Sequence, residues 1–208
     1  MKRFFSLLCV VFMAVAASAQ ITWSVKGGLG FANCSGDEMD MESRLVGRIG
    51  VGIEKPLTPE WSIMPSLEFA MKGAKYSESE KSGPYSQGYS YDQELSLYYI
   101  QIPVLAAYRL NLTDSWNMTL KAGPYLAYGV GGTIKDSYKD DTIDDVEKDE
   151  EDIFNYCERL DFGLDIAVDL EYHRYVFGLE YEFGLTSITK EGGEIKNGAF
   201  YITAGYKF

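Results

Sequence analysis

Residues 159–172, RLDFGLDIAVDLEY, alternate without a break. Leu160, Phe162, Leu164, Ile166, Val168, Leu170 and Tyr172 take every second position, with Asp161, Gly163, Asp165, Ala167, Asp169 and Glu171 between them. A period of two is a β-strand signature, with one apolar face and one acidic face. Seven other stretches read the same way. Three precede residue 72: Ile21-Trp23-Val25-Gly27-Leu29-Phe31, Leu45-Gly47-Ile49-Val51-Ile53 and Trp61-Ile63-Pro65-Leu67-Phe69-Met71. Two follow in the middle, Tyr98-Ile100-Ile102-Val104-Ala106-Tyr108 and Trp116-Met118-Leu120-Ala122-Pro124-Leu126-Tyr128. The last two are Tyr175-Phe177-Leu179-Tyr181-Phe183-Leu185 and Phe200-Ile202-Ala204-Tyr206-Phe208. Each is long enough to cross a bilayer as a tilted strand, which takes about 9–11 residues.

The connections alternate too. Short ones (PLTPE at 56–60, NLTDS at 111–115, HR at 173–174) follow strands two, four and six. Long ones, roughly 32–43, 73–93, 130–157 and 187–198, follow the odd strands. Short turns on one rim and long loops on the other are the pattern of bacterial outer-membrane barrels, both termini being periplasmic. Eight strands close a ring and leave no unpaired edge in lipid.

Aromatic residues decide which face looks outward. At the short-turn end the apolar phase carries Trp23, Trp61, Tyr108, Trp116, Tyr172, Tyr175, Tyr206 and Phe208; only strand two, ending at Ile53, lacks one. The opposite ends carry Phe31, Phe69, Tyr98, Tyr128, Phe162, Phe183 and Phe200. Two aromatic girdles around an aliphatic band are what membrane interfaces select, and a soluble barrel has no reason to sort aromatics by height. The other phase holds small residues such as Gly28, Gly50, Gly123 and Gly178, which suit a narrow lumen. It also holds Lys26, Arg48, Lys72, Arg109, Lys121 and Lys207 against Asp161, Asp165, Asp169, Glu171, Glu180 and Glu182. Both signs facing one lumen predict a structural salt-bridge network, because eight strands enclose a space that side chains just fill. A conducting pore is the competing reading. Pro65, Pro103 and Pro124 lie within strands, where a missing N–H predicts bulges.

Composition narrows the picture further. Lys2-Arg3, the apolar run Phe4–Ala16 and Ala17-Ser18-Ala19 predict a secretory signal over 1–19, cleaved before Gln20 to leave a barrel domain over 20–208. Net charge is −12, and losing Lys2 and Arg3 takes it to −14, an acidity that excludes nucleic acid as a partner. No later stretch approaches the eighteen apolar residues of a transmembrane helix. Cys34 and Cys157 survive processing; an exported chain can pair them, but nothing in the sequence brings them together.

The runs LYYIQIPVLAAYRL (97–110), LKAGPYLAYGVGG (120–132), RLDFGLDIAVDLEY, YVFGLEYEFGLTSI (175–188) and AFYITAGYKF (199–208) resemble the PorT-like outer-membrane β-barrel family of Bacteroidetes. Its Tyr-x-x-Ile-Pro strand is matched by Tyr99 to Pro103. Its Gly-Pro-x-x-x-x-Tyr strand is matched by Gly123 and Pro124, with Tyr128 one place early. The resemblance spans essentially the whole mature chain and implies the fold. It implies no activity: the founding member is linked to secretion, a role that barrel patterning does not transfer. The strand prolines belong to the family pattern.

Candidate chemistry is sparse. His173, the only histidine, sits in the short turn EYHRY on the periplasmic rim, away from the outer rim where barrel deacylases and surface proteases work. Residues 136–152, DSYKDDTIDDVEKDEED, place Asp136, Asp140, Asp144 and Glu147 on positions one, five, nine and twelve of an EF-hand loop. Tyr138 occupies position three, however, and Asp141 stands where the turn needs Gly, so the stretch reads as a solvated, mobile loop. There is no phosphate-binding glycine loop, no Cys/His metal spacing and no serine with a nearby base, so no catalytic, cofactor or metal residue is assigned.

The expectation is therefore an all-β, eight-stranded antiparallel transmembrane barrel in the bacterial outer membrane. It is an up-and-down meander with short periplasmic turns and long extracellular loops. The expected function is non-enzymatic, structural or surface-binding through those loops; the stretch 77–94, SESEKSGPYSQGYSYDQE, suits adaptable contacts. A component of a secretion or envelope assembly is the alternative, with a small pore behind it. Expected partners are outer-membrane lipid and lipopolysaccharide, the barrel-assembly machinery during insertion, and an unidentified envelope protein in the assembly reading.

Overall fold

The computed structural model describes residues 21–36, 41–80, 89–140, 143–190 and 194–208. For 78–80, 89–90, 138–140 and 143–150 only the backbone is described. The expected signal over 1–19 lies outside these residues, as do parts of all four long connections.

Among the described residues ten strands form: β1 (Thr22–Gly36), β2 (Arg44–Pro56), β3 (Trp61–Lys72), β4 (Lys75–Glu80), β5 (Tyr89–Asn111), β6 (Trp116–Asp140), β7 (Ile143–Asp152), β8 (Leu160–Tyr172), β9 (Tyr175–Gly184) and β10 (Ile195–Lys207). Eight of them, in the order β5-β3-β2-β1-β10-β9-β8-β6, pair antiparallel, and β5 pairs with β6 to close the ring. These are the eight alternating stretches of the sequence. β1 and β10 zip from Ser24↔Lys207 to Gly36↔Ile195. Every backbone donor and acceptor in the ring then has a neighbouring strand to meet, which lipid requires.

The apolar phase faces outward. Along β8 exposure alternates strictly, Leu160 through Tyr172 exposed and Asp161 through Glu171 buried. Aromatic pairs tie the periplasmic girdle across strands: Trp61–Tyr108 with ring centroids 5.0 Å apart, Trp116–Tyr172 at 4.6 Å and Tyr175–Tyr206 at 5.5 Å. Phe69 stacks on Tyr98 at 6.1 Å in the opposite girdle. Ile53 departs from the pattern: it is buried, and so is Glu54 beside it. The alternation of β2 slips where its ladder to β3 lapses, between Gly52↔Ser66 and Lys55↔Ile63.

That lapse lies opposite Pro65 and corrects the expectation of bulges. The β3–β5 ladder skips Ile102 and Pro103, and the β5–β6 ladder skips Gly123 and Pro124, yet the register on either side of each gap is the same. Each proline leaves a short gap on the side where its N–H is missing, and no residue is inserted. The one register shift between β5 and β6 is higher up, where Tyr98 pairs with Gly131 and Tyr99 with Gly129.

The two longer periplasmic turns share one device. In 56–61, Leu57 and Thr58 N–H donate to the Trp61 carbonyl, and Thr58 Oγ1 accepts from Trp61 N–H at 3.0 Å. In 111–116, Leu112, Thr113 and Trp116 repeat this, with Thr113 Oγ1 accepting at 3.1 Å. The third turn is tighter, Tyr172 pairing with Tyr175 around His173-Arg174. His173 has φ +52°, the left-handed region that disfavours a β-carbon. His173→Gly is expected to raise the unfolding free energy by up to about 1 kcal/mol. Urea titration of the folded protein in detergent micelles checks it; a lowered midpoint would show that the imidazole, 4.5 Å from the Tyr172 ring, contributes more than the strain costs.

The long connections differ from the expectation of loops. β4, the first part of β5, the last part of β6, and β7 make a four-stranded sheet that continues past the outer girdle. The acidic stretch 136–152 is thus the end of β6 and all of β7 within the described residues, paired from Thr133↔Asp152 to Asp140↔Ile143. Backbone pairing builds these strands where alternation is absent.

Candidate functional site

Two regions carry the polar chemistry of the molecule: the barrel interior and the capped extracellular end. The alternation that turns apolar side chains into lipid turns the charged ones into the lumen, where glycines leave them room. The twelve charged residues assigned inward from the sequence all face the interior, and Glu54 and Glu68 join them. Both follow from the same phase, Glu68 between Leu67 and Phe69, and Glu54 after Ile53.

Arg48 is the hub. Its guanidinium pairs with Glu68, with Glu180 at 2.7 Å and with Glu182 at 3.1 Å, and lies 4.7 Å over the Tyr201 ring. Lys26 bridges the same Glu68 and Glu180 at 3.1 and 2.9 Å. Toward the outer end, Lys72 reaches Asp161 at 3.2 Å and Glu182 at 3.0 Å, and sits 4.1 Å over the Tyr125 ring. Toward the periplasm, Lys121 pairs with Asp169 at 2.7 Å. Below it, Glu54 and Glu171 share Lys207 (2.8 and 2.6 Å) and Arg109 (2.6 and 3.5 Å). Asp165, expected to hold cationic partners, has no ion pair among the described residues, and neither of its oxygens has a hydrogen-bond partner. Fully buried Tyr99, Tyr125, Tyr201 and Gln101 fill space between these charges. That packing is the structural network the sequence predicts.

The extracellular end is capped. After β7, Asp152 accepts from Phe154 N–H at 3.0 Å and starts a 3₁₀ turn, Ile153–Asn155. Ile153 and Phe154 point down into a cluster with Cys34, Leu97, Tyr99, Tyr125, Cys157 and Ile188. Phe154 meets Tyr99 edge-on with centroids 6.4 Å apart, and the Arg159 guanidinium covers its other side at 4.3 Å. Gly129 makes this possible, since a β-carbon there would occupy the position of the Phe154 ring. Lys190 Nζ donates to the Phe154 carbonyl at 2.7 Å. Cys34 and Cys157 are free thiols brought into one apolar cluster, and burial raises the Cys157 thiol above its ordinary range. The third long connection therefore ends in a stopper, which no polar/apolar count of that stretch announces.

Above the stopper the four-stranded sheet presents a hydrogen-bonded polar face. Asp136 accepts from Tyr91 Oη at 2.7 Å and from Gln93 Nε2 at 2.8 Å; the bond to Asp136 holds the Tyr91 phenol up at about 12. Tyr76 meets Tyr91 edge-on, centroids 6.5 Å apart. His173, by contrast, stands in the Tyr172–Tyr175 turn at the periplasmic rim, at the opposite end of the barrel from the extracellular cap, as its turn position predicts.

Three solved structures are similar to this chain, which covers the whole of each with 91% of its own length. They are a major outer membrane protein from Thermus thermophilus (12% identity, TM-score 0.50), Neisserial surface protein A (12%, 0.48) and the attachment invasion locus protein Ail of Yersinia pestis (12%, 0.43). At 12% identity the likeness to the Thermus protein speaks for the fold alone. No curated relative matches the chain in sequence. Residues 16–190 match a family of outer membrane protein beta-barrel domains, a span that reaches from before β1 to beyond β9. With its closed eight-stranded ring, lipid-facing apolar wall and twin girdles, the chain belongs to the outer membrane protein β-barrel domain family, and its place is the bacterial outer membrane.

Proposed function

We propose that this chain is a non-enzymatic surface protein whose barrel is an anchor and whose extracellular sheet makes its contacts. The observation that carries this reading is the division of the molecule at the outer girdle. Below it, the lumen is filled by paired charges and tyrosines and closed by Ile153 and Phe154. Above it, β4 to β7 hold a sheet clear of the membrane, with a Tyr- and Asp-bearing face fixed by its own hydrogen bonds. A filled eight-stranded interior argues against passage of solutes. Residues 1–19 serve as the export signal in this reading, and lipid and lipopolysaccharide surround the wall after the assembly machinery has inserted it. The finer kinship with PorT-like proteins of Bacteroidetes rests on the Tyr99–Pro103 and Gly123-Pro124 motifs.

Purification in mild detergent from its own membrane, without overexpression, tests the proposal when co-eluting proteins are identified by mass spectrometry. The anchor reading expects a lone barrel with lipid. A stoichiometric protein partner would favour a component of an envelope or secretion assembly instead, and direct mutagenesis to the contacting surface.

A further inference from the structure

The interior charges do not balance. Among the described residues, eight carboxylates face the lumen and six lysines and arginines answer them. Seven of the eight have a cationic nitrogen within 4.0 Å; the remaining one, Asp165, is fully buried and has none. An unpaired charge in a water-poor interior costs several kcal/mol, so a surplus of two calls for a counter-charge. Among the described residues, buried side-chain acceptors without a hydrogen bond outnumber such donors five to three, the donors being Arg48 Nε and Nη1 and Arg109 Nε. Both Asp165 oxygens are unpartnered, and so is the buried amide oxygen of Gln101, whose nitrogen donates to Glu182.

The Asp165 orphan stands in a cluster of acids. Asp165 presents an oxygen within 4.8 Å of one oxygen from each of Glu180 and Glu182, which are its neighbours across the β8–β9 ladder (Asp165 pairs with Glu182, and Ala167 with Glu180). Calcium–oxygen bonds are about 2.3–2.6 Å, so oxygens up to roughly 5 Å apart can share one ion. All the donors are hard oxygens, and two unmatched charges equal one divalent ion. Calcium's tolerance of irregular geometry suits a site where Arg48, Lys26 and Lys72 already hold other edges of the two glutamates; magnesium's demand for an octahedron suits it less. We propose that the barrel interior binds one divalent cation, Ca²⁺ in preference to Mg²⁺, on Asp165, Glu180 and Glu182. The stopper covers this position on the extracellular side, and Asp165, Glu180 and Glu182 are all buried, so an ion bound as the barrel closes exchanges slowly afterwards.

The test uses the full mature chain, unfolded in urea and refolded in detergent with CaCl₂, with MgCl₂ or with EDTA. Bound metal is counted by mass spectrometry after gel filtration. Wild type refolded with calcium is expected to retain about one ion per chain and to unfold at a urea concentration roughly 1 M above the EDTA sample. Asp165→Asn, nearly isosteric, is expected to retain no stoichiometric ion and to show no difference between the arms. EDTA added after folding should remove little. No retained metal in wild type, together with equal midpoints in all three arms, overturns the proposal and leaves protons as the counter-charge. The wild-type arms decide this even if Asp165→Asn does not fold.

Discussion

Replacing Arg48 by leucine is expected to lower the unfolding free energy of the barrel by roughly 3–5 kcal/mol, the scale of stranding a buried ion pair. One guanidinium neutralises parts of three carboxylates, Glu68, Glu180 and Glu182, and all four groups are essentially without solvent. Leucine fills some of the volume and leaves the carboxylates facing one another in an interior already short of positive charge. Arg48→Lys keeps the charge and loses the fork, so an intermediate loss is expected. Arg109→Leu is the informative comparison. It too removes a cation from two lumenal acids, but its side chain is 32% exposed at the periplasmic mouth, and Lys207 remains bonded to both Glu54 and Glu171. Water and that second cation reduce the expected loss to about 1 kcal/mol or less. Urea unfolding followed by tryptophan fluorescence gives both values. Equal losses at the two sites would show that solvent reaches Arg48 and that the interior is not sealed.

A side chain at position 30 is expected to keep the ring from closing. Gly30 pairs with Tyr201 at the β1–β10 seam, and a β-carbon on it would run into the Phe200 carbonyl and stand 2.8 Å from Tyr201 Cα. Backbone cannot yield there without parting the strands. The ring of Tyr201 also depends on the space, because its hydroxyl donates to the Met71 carbonyl at 2.9 Å and its face carries Arg48. Gly30→Val should therefore yield mostly unfolded chain on refolding, seen as loss of the mobility difference between heated and unheated samples on a gel. Gly27→Ala is the control: it lies on the lipid face of the same strand, where the nearest atom to a new β-carbon is the Arg48 carbonyl oxygen at 3.7 Å, ordinary contact. That variant should fold like wild type. Normal folding of Gly30→Val would mean that the seam is looser than the register indicates.

The ring was legible because its strands have two faces in two solvents. Leu160 to Tyr172 could not alternate so strictly unless lipid lay on one side and paired charge on the other. Glu54 and Glu68 are legible in the same inward phase as Arg48 and Lys72. The sheet beyond the membrane was not legible, since KYSESE and IDDVEKDEED, which form β4 and β7, carry no apolar/polar alternation to read. The stopper was hidden for another reason: Ile153 and Phe154 form one 3₁₀ turn, too short for periodicity, and their burial depends on a vacancy at Gly129 distant in sequence. The prolines misled because a missing donor can be absorbed by a gap in the ladder as well as by a bulge. Asp165 looked like every other inward acid, and only the three-dimensional pairing singles it out.

The central claim is that the apolar phase faces lipid. Single cysteines placed along 160–170, in a chain with Cys34 and Cys157 replaced by alanine, can each carry a nitroxide in lipid vesicles. Collision with oxygen, which partitions into the bilayer, is then compared with collision with a water-soluble nickel chelate. Labels at 162, 164, 166 and 168 should meet oxygen and escape nickel, and labels at 165, 167 and 169 should meet neither freely; position 163 is left as glycine, because a β-carbon there would meet the Phe183 carbonyl. A trace without a two-residue period, or nickel reaching the even positions at mid-strand, would contradict the barrel described above.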